Sequence, residues 1–372
     1  MKDIKNRGLV FNGKPTPVPY FTFAVTGVCN YKCSYCCIGA ENHGFEGEEI
    51  SLDEMLEIAG LFYERGVKVF RITGGEPTIW KPLEDLIKGI HAIAPDTQVN
   101  LNSNASLPRK LLPIIERNAE RFTLRVSVDR MTPAPDTPKV WTSRLQETLQ
   151  EARKFVPVRL NMVVMRSNMH ELPQLMDLCN ENDFDLKLLD LYYNRDFFGE
   201  DGKTMVDINQ FWWQQFVPIL DTLSSVMEEK GFEFMNQYDH GNFGIPLPIF
   251  TNGKIYISVK DSTRGTHFHD ACKGCSEYRC QEGLYSPMLS STGTLHVGEC
   301  RFKPYMTEMR GLSMEDKAKG VDKMLTLFKE TKLSQSKLSE ILEAYRAEAA
   351  VQQGLAPETH SPFNRSYKAE HL

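Results

Sequence analysis

Strand and helix patterns alternate along the first half of the chain, and this alternation limits the possible folds more than any other feature. Short apolar runs are each followed by a segment with one apolar helical face, and Ser51 with Glu54 forms a capping box before the first of these helices. Alternating units of this kind build a parallel sheet with right-handed crossovers. The pattern predicts six strands, at residues 19–25, 68–75, 98–104, 121–129, 158–165 and 186–193.

Six such units predict an α/β fold, a partial (β/α)6 TIM-like barrel. In barrels of this type, catalytic residues lie in the loops at the carboxyl ends of the strands. Four features of the sequence fall at that edge: a cysteine-rich loop after the first strand, a GGEP turn at 74–77, SNA at 103–105 and SVD at 127–129. Four features on one rim predict an active site there.

The pattern changes after residue 200. Residues 207–231 predict a single amphipathic helix of about 25 residues. A loop-rich stretch and a second cysteine group at 272–300 follow, then charged helices over 313–348 and a polar tail from Gly354. We therefore expect three parts: a barrel at 17–200, a domain around the second cysteine group at 201–305, and a C-terminal helical extension and tail at 306–372.

Composition excludes several classes of protein. A net charge of −6, from 43 basic and 49 acidic residues, argues against a nucleic-acid partner and leaves a neutral or cationic substrate as the expectation. The chain has no apolar run of ~18 residues that would span a membrane, and its first residues lack the core of a signal peptide. We expect a cytoplasmic protein without a membrane partner, in which nine cysteines indicate metal binding rather than disulfides.

The first cysteine group has the spacing C-x3-C-x2-C, with Cys29, Cys33 and Cys36. A [4Fe–4S] cluster takes one thiolate per iron, so three cysteines would leave one iron open to an external ligand. A structural zinc site needs four ligands, and no well-placed fourth lies nearby. Cys37 adjoins Cys36, and we expect it to be a packing residue.

The second group contains three closely spaced cysteines and a fourth on a returning strand: Cys272, Cys275, Cys280 and Cys300. This arrangement can bring four thiolates together. The residues alone leave two alternatives open, a four-cysteine zinc site and a second [4Fe–4S] cluster.

The cysteine spacing after a first strand, combined with TGGEP at the end of the second strand, resembles the radical S-adenosylmethionine (SAM) superfamily. Tyr35, just before the third cysteine, also matches. The resemblance implies an enzyme in which SAM binds the open iron and its reductive cleavage gives a 5′-deoxyadenosyl radical. It implies that Gly74 and Gly75 let the backbone approach SAM, and that Glu76 either contacts SAM or braces the turn.

Residues 20–193 and the second cysteine group further resemble the GTP cyclase that makes the molybdopterin precursor, and its relatives. This resemblance implies that Ser103, Ser127 and Arg159 contact SAM. It also implies that the second cysteine group binds an auxiliary [4Fe–4S] cluster.

The sequence departs from the cyclase at four places. Cys280 is an additional thiol that would close the auxiliary cluster, the gap to Cys300 is longer, Glu277 replaces an arginine, and the C-terminus lacks Gly-Gly. A triphosphate needs several cations, so we expect a substrate other than GTP. We expect the closed cluster to serve electron transfer or support.

The sequence thus predicts a radical SAM enzyme with SAM and two [4Fe–4S] clusters, served by an external donor of the flavodoxin or ferredoxin type. It would oxidise, cyclise or rearrange a small metabolite or a peptide. About 18 residues precede the first strand, which favours the metabolite. The alternatives are GTP 3′,8-cyclase of molybdopterin biosynthesis, a peptide-modifying maturase and a non-catalytic zinc-binding scaffold. The sequence assigns no catalytic residue.

Overall fold

One twelve-stranded mixed sheet organises the part of the chain that the computed structural model describes. The described residues are 10–11, 14–15, 20–36, 47–192, 212, 214–238, 245–275, 280–298, 300 and 302–334. The strands, in chain order, are β1 (Val10–Phe11), β2 (Lys14–Pro15), β3 (Phe21–Ala24), β4 (Val69–Thr73), β5 (Gln98–Ser103), β6 (Phe122–Ser127), β7 (Val158–Val164), β8 (Asp185–Asp190), β9 (Glu233–Tyr238), β10 (Leu247–Thr251), β11 (Tyr256–Lys260), β12 (Thr266–Phe268), β13 (Pro287–Leu289), β14 (Thr294–Val297), β15 (Thr307–Glu308) and β16 (Lys332–Ser334). The α-helices are α1 (Leu52–Glu64), α2 (Leu83–Ile93), α3 (Pro108–Arg117), α4 (Ser143–Arg153), α5 (Leu172–Asn182), α6 (Ile219–Glu229) and α7 (Met314–Lys329).

The six strands β3 to β8 lie side by side in chain order, and every neighbouring pair is parallel. Helices α1 to α5 connect them, so the six-unit α/β prediction is confirmed. Ser51 caps α1 as predicted, since its hydroxyl accepts a hydrogen bond from the backbone N–H of Glu54.

Later segments extend both edges of this parallel sheet. Strand β13 pairs in parallel with β3 and continues into β14 and β15, while β11 pairs in parallel with β8 and continues into β10 and β9. Residues after 200 therefore share the sheet of the barrel. The three predicted domain boundaries stay predictions.

The two faces of the parallel strands differ in chemistry. Along β7, Val158, Leu160, Met162 and Val164 are buried and belong to the main apolar core, while the alternate residues are partly exposed. Side chains of alternate strand residues point to opposite faces. The helix-covered face is therefore apolar, and the opposite face, which forms the interior of the partial barrel, carries polar and charged side chains.

Two predictions for the C-terminal half are wrong in detail. The helix predicted over 207–231 is interrupted, because Phe216–Pro218 is not helical and α6 begins after Pro218. Proline disfavours the α conformation in the residue before it. After α7, residues Lys332–Ser334 form a strand that pairs with β12, where charged helix was predicted, and residues 335–348 lie outside the described residues. Among the described helices, none is long and apolar enough to cross a membrane.

Candidate active site at the carboxyl ends of the parallel strands

The loop with the first cysteine group follows β3 and packs directly against the GGEP turn that follows β4. The backbone N–H of Gly75 donates to the carbonyl of Thr26 at 2.7 Å, and that of Glu76 donates to the carbonyl of Val28 at 2.8 Å. Cys33 is buried, while Cys29 and Cys36 are partly exposed. The neighbouring residue Cys37 lies outside the described residues.

The two glycines of the turn are required by the cysteine loop itself. Gly74 has a φ of +139°, and a Cβ atom there would lie 2.5 Å from the carbonyl oxygen of Thr26. A Cβ atom on Gly75 would lie 2.2 Å from the carbonyl oxygen of Val28. The sequence predicted close approach of SAM to these glycines, and the structure adds a second reason for them, the approach of the loop backbone.

Glu76 braces the turn. Its side chain is fully buried, and one carboxylate oxygen accepts hydrogen bonds from the backbone N–H of Thr78 (3.0 Å), the hydroxyl of Thr78 (2.7 Å) and the hydroxyl of Ser103 (2.8 Å). The other oxygen accepts from the backbone N–H of Asn104 at 2.7 Å. Of the two roles expected for Glu76, the structure shows the bracing one, which joins the ends of β4 and β5.

Of the other residues predicted to contact SAM, Ser103 and Ser127 end β5 and β6 at this rim, whereas Arg159 is the second residue of β7 and lies away from the carboxyl end of that strand. The hydroxyl of Ser103 donates to Glu76 and accepts from the backbone N–H of Ala105 at 2.9 Å. Ser127 ends β6 and is partly exposed, and Arg159 lies on the interior face of β7, where its Nε donates to Asn161 at 3.3 Å. Their contact with SAM stays a prediction.

Sequence reasoning missed the segment that holds the cysteine loop from its other side. Residues 129–141, between β6 and α4, supply Asp129, Thr137 and Lys139 to the surroundings of Tyr35 and Cys33. The SVD pattern marked Asp129 as a rim residue. No local pattern marked Lys139, since its neighbour Tyr35 lies 104 residues away in the sequence.

Cations line the interior of the barrel, one from each of five strands: Arg71, Arg125, Arg159, Lys187 and Lys260. Burial lowers the pKa of Arg125 well below its ordinary value, and Arg159 and Arg71 lower it further. Burial likewise lowers the pKa of Lys187, and all four other cations contribute. The other four side chains therefore lie within electrostatic reach of Lys187.

Among the described residues, Glu282 balances one of these cations. Lys260 forms a buried ion pair with Glu282. Arg125 is only 7% exposed, and its Nε has no hydrogen-bond partner among the described residues. A buried cation is ordinarily paired, so an interior of this composition is suited to a bound anion.

Three cysteines of the second group, Cys272, Cys275 and Cys300, lie near Tyr305. The Tyr305 hydroxyl lies 3.8 Å from the sulfur of Cys272, and its pKa is raised first by burial and then by Cys272, Cys300 and Cys275. Burial also raises the pKa of Cys280, with further contributions from Cys300 and Cys272. The structure therefore gathers all four thiols, while Glu277 lies outside the described residues.

The donor sets fit iron–sulfur clusters. None of the eight described cysteines forms a disulfide. A [4Fe–4S] cluster takes one thiolate per iron, so three thiols in the first group suit a cluster with one open iron and four thiols in the second group suit a closed cluster.

Comparison with known proteins indicates the class of this protein. The sequence model described as the Radical SAM superfamily matches residues 23–179, which span β3 to most of α5. This match indicates a radical SAM domain, and with it an enzyme that uses SAM and [4Fe–4S] clusters. The alternative of a non-catalytic zinc scaffold is therefore set aside.

Within that class the chain is similar to proteins named GTP 3′,8-cyclase. It is 29% identical over 308 residues to the Stenotrophomonas maltophilia (strain K279a) protein, covering 80% of this chain and 84% of that protein. It is 28% identical over 183 residues to the Helicobacter pylori (strain ATCC 700392 / 26695) protein, covering 48% of this chain but only 57% of that one.

Solved structures that align with this chain include Streptococcus suis SuiB bound to the precursor peptide SuiA and anSMEcpe with bound AdoMet. SuiB has 14% sequence identity and a TM-score of 0.49, covering 80% of this chain and 61% of SuiB. The anSMEcpe structure has 14% identity and a TM-score of 0.49, covering 83% of this chain and 82% of that one.

Proposed function

We propose that this radical SAM enzyme abstracts a hydrogen atom from an anionic small molecule held in the barrel interior. An auxiliary cluster held by the second cysteine group would accept one electron from the substrate radical that remains. SAM and the cluster supply the radical chemistry, while the chain binds, orients and shields the reactants. The reductant is an external donor of the flavodoxin or ferredoxin type, and the proposed location is the cytoplasm.

The residues at the rim have different roles in binding the first cluster and SAM. Cys29, Cys33 and Cys36 would ligate the first cluster and leave one iron for SAM. Glu76 holds the GGEP turn against the ends of β4 and β5 through its four hydrogen bonds. Gly74 and Gly75 keep the turn in contact with the cysteine loop, so the SAM-binding surface is fixed before SAM arrives.

The single observation that supports an anionic substrate is the cationic interior of the barrel. The chain as a whole is acidic, with a net charge of −6, yet its barrel interior collects cations from five strands. Arginine and lysine in such a setting bind carboxylate or phosphate groups through charge-assisted hydrogen bonds. This composition favours an anionic substrate over the neutral or cationic one expected from the overall charge.

The second candidate function is GTP 3′,8-cyclase. The cationic interior favours it because a triphosphate carries several negative charges, and the similarity to proteins of that name also favours it. The grouping of Cys280 with the other three thiols disfavours it, because a fourth thiolate would leave no open iron for a substrate.

The test uses anaerobically reconstituted full-length protein. We would measure iron content, 5′-deoxyadenosine formation, and binding of phosphate- or carboxylate-bearing metabolites against neutral analogues of the same skeleton. We expect at least tenfold tighter binding of the anions. Equal binding of neutral analogues would refute the substrate class, and a product from a peptide alone would favour the maturase.

GTP is assayed in parallel with the same preparation. Conversion of GTP to a cyclised nucleotide would establish the second candidate. Tight GTP binding without conversion would support the anion site and exclude the cyclase activity.

A further inference from the structure

The segment at 129–141 clamps the cysteine loop through Ser34. The backbone N–H and the hydroxyl of Ser34 both donate to the carbonyl oxygen of Asp136, each at 2.8 Å. The carboxylate of Asp136 is fixed by a buried ion pair with Arg130 and by the hydroxyl of Ser167 at 3.0 Å. The loop is thus attached to a rigid neighbour on this side.

Tyr35, between the second and third cysteines, joins two charged groups of this segment. Its hydroxyl donates to one carboxylate oxygen of Asp129 and accepts a hydrogen bond from the ammonium group of Lys139 at 2.9 Å. The other oxygen of Asp129 accepts from the backbone N–H of Val163 at 2.9 Å, so the end of β7 fixes the carboxylate. The Lys139 nitrogen also lies 5.2 Å from the centre of the Tyr35 ring.

Thr137 extends this network to a cysteine sulfur. Its hydroxyl oxygen lies 3.3 Å from the sulfur of Cys33 and 3.3 Å from the same carboxylate oxygen of Asp129. Residues 129–141 therefore reach Cys33, Ser34 and Tyr35, three consecutive positions of the loop.

Lys139 is the cation of this network, and the thiols lie within its electrostatic reach. Burial lowers its pKa, but Asp129 and then Cys33, Cys36 and Cys29 raise it further than burial lowers it, so the net change is upward. The ammonium group thus remains charged beside the loop. Charges in such partly buried positions are weakly screened by solvent and salt.

We propose that Lys139 is a positioning residue whose ammonium group, fixed by the Tyr35 hydroxyl that Asp129 holds, raises the reduction potential of the cluster bound by Cys29, Cys33 and Cys36. This inference rests on the proposed assignment of those three ligands. A nearby cation stabilises the state that holds one more electron. Loss of Lys139 would also leave Asp129 as an uncompensated negative charge, which would lower the potential further.

The experiment is a redox titration of the reconstituted full-length protein, followed by electron paramagnetic resonance. The signal that changes when SAM is added identifies the first cluster and separates it from the auxiliary one. We expect Lys139→Met to shift the midpoint potential to more negative values. Lys139→Arg, which retains the charge, should stay near wild type, as should the control Lys110→Met, which removes an exposed lysine on α3.

Tyr35→Phe provides a second variant that leaves the lysine in place. It removes the hydroxyl that fixes the ammonium group and should give a smaller shift in the same direction. An unshifted potential in both Lys139→Met and Tyr35→Phe would overturn the proposal. If Lys139→Met loses its iron, the potential of Tyr35→Phe decides alone.

The titration needs no substrate, so its result is independent of the proposed anion site. Failure of wild-type protein to bind any cluster would contradict the proposed function. A wild-type cluster with normal SAM binding and an unshifted potential in the variants would contradict only the role of Lys139.

Discussion

Replacing Arg125 by methionine should strengthen the fold and weaken substrate binding. Arg125 is 7% exposed, its Nε has no hydrogen-bond partner among the described residues, and Arg159 and Arg71 lie within electrostatic reach. An unsatisfied buried donor costs about 1–3 kcal/mol. We expect Arg125→Met to raise the free energy of unfolding of the substrate-free protein by about 1 kcal/mol or more, since methionine has similar length and no charge.

The same substitution removes a donor to the proposed anionic substrate. A hydrogen bond to a charged group contributes about 1.5–3 kcal/mol, which corresponds to roughly a 10- to 150-fold increase in Kd, because every 1.4 kcal/mol is a factor of ten. Cleavage of SAM without substrate should stay at the wild-type rate. Urea unfolding without substrate and calorimetric titration with it measure the two effects separately.

Arg117→Met is the matched control. Arg117 lies on the surface of α3 and pairs with Glu84 at 2.7 Å, so its loss should change stability little and leave substrate affinity unchanged. If Arg125→Met instead lowers stability and leaves affinity unchanged, Arg125 is a structural residue and the reasoning about the anion site is wrong.

Three further substitutions test other parts of the structure. Glu76→Gln replaces one carboxylate oxygen, which accepts hydrogen bonds, by an amide group that donates them, although the side chain is surrounded by four donors. The free energy of unfolding measured in urea should fall by about 1–3 kcal/mol, and unchanged stability would contradict the bracing role. Cys280→Ser should lower the iron content and the activity if Cys280 ligates the auxiliary cluster, and unchanged iron content with unchanged activity would show a cluster held by three cysteines. Burial raises the pKa of Glu54, but the backbone N–H of Gly311 and the ammonium group of Lys317 lower it to about 2. The stability that Glu54 contributes should therefore be complete above pH 4.5 and lost as pH falls toward 2, so a Glu54→Gln variant should differ from wild type at pH 7 and converge with it in acid.

The features that sequence predicted are those that are local in the chain. The six strand–helix units, the cap at Ser51 and the cysteine and GGEP motifs each occupy a short continuous stretch. The anion site could not be predicted in this way, because each strand contributes one cation and only the sheet register brings them together. The interruption at Pro218 was predictable, since proline disfavours a helical conformation in the residue before it.

The glycines of the GGEP turn illustrate why a correct motif can have an incomplete explanation. Sequence reasoning connected Gly74 and Gly75 with SAM, because the GGEP motif is associated with SAM binding and gives no information about the neighbouring loop. The structure shows that a side chain at either position would collide with the backbone at Thr26 or Val28. Substitution there would displace the cysteine loop before any effect on SAM could be measured.

The second cysteine group is connected directly to the cationic interior. Gln281, the residue after Cys280, donates to the carboxylate of Asp190 at 2.9 Å and to the hydroxyl of Ser262 at 2.8 Å, and Glu282 pairs with Lys260. Two residues of extended chain span at most about 7 Å, so the Cα atom of Cys280 lies within that distance of Glu282. Glu282 also contributes to the raised pKa of the Cys280 thiol. An auxiliary cluster ligated by Cys280 would therefore lie beside the wall of the proposed substrate site, where it could accept an electron from the substrate over a short distance.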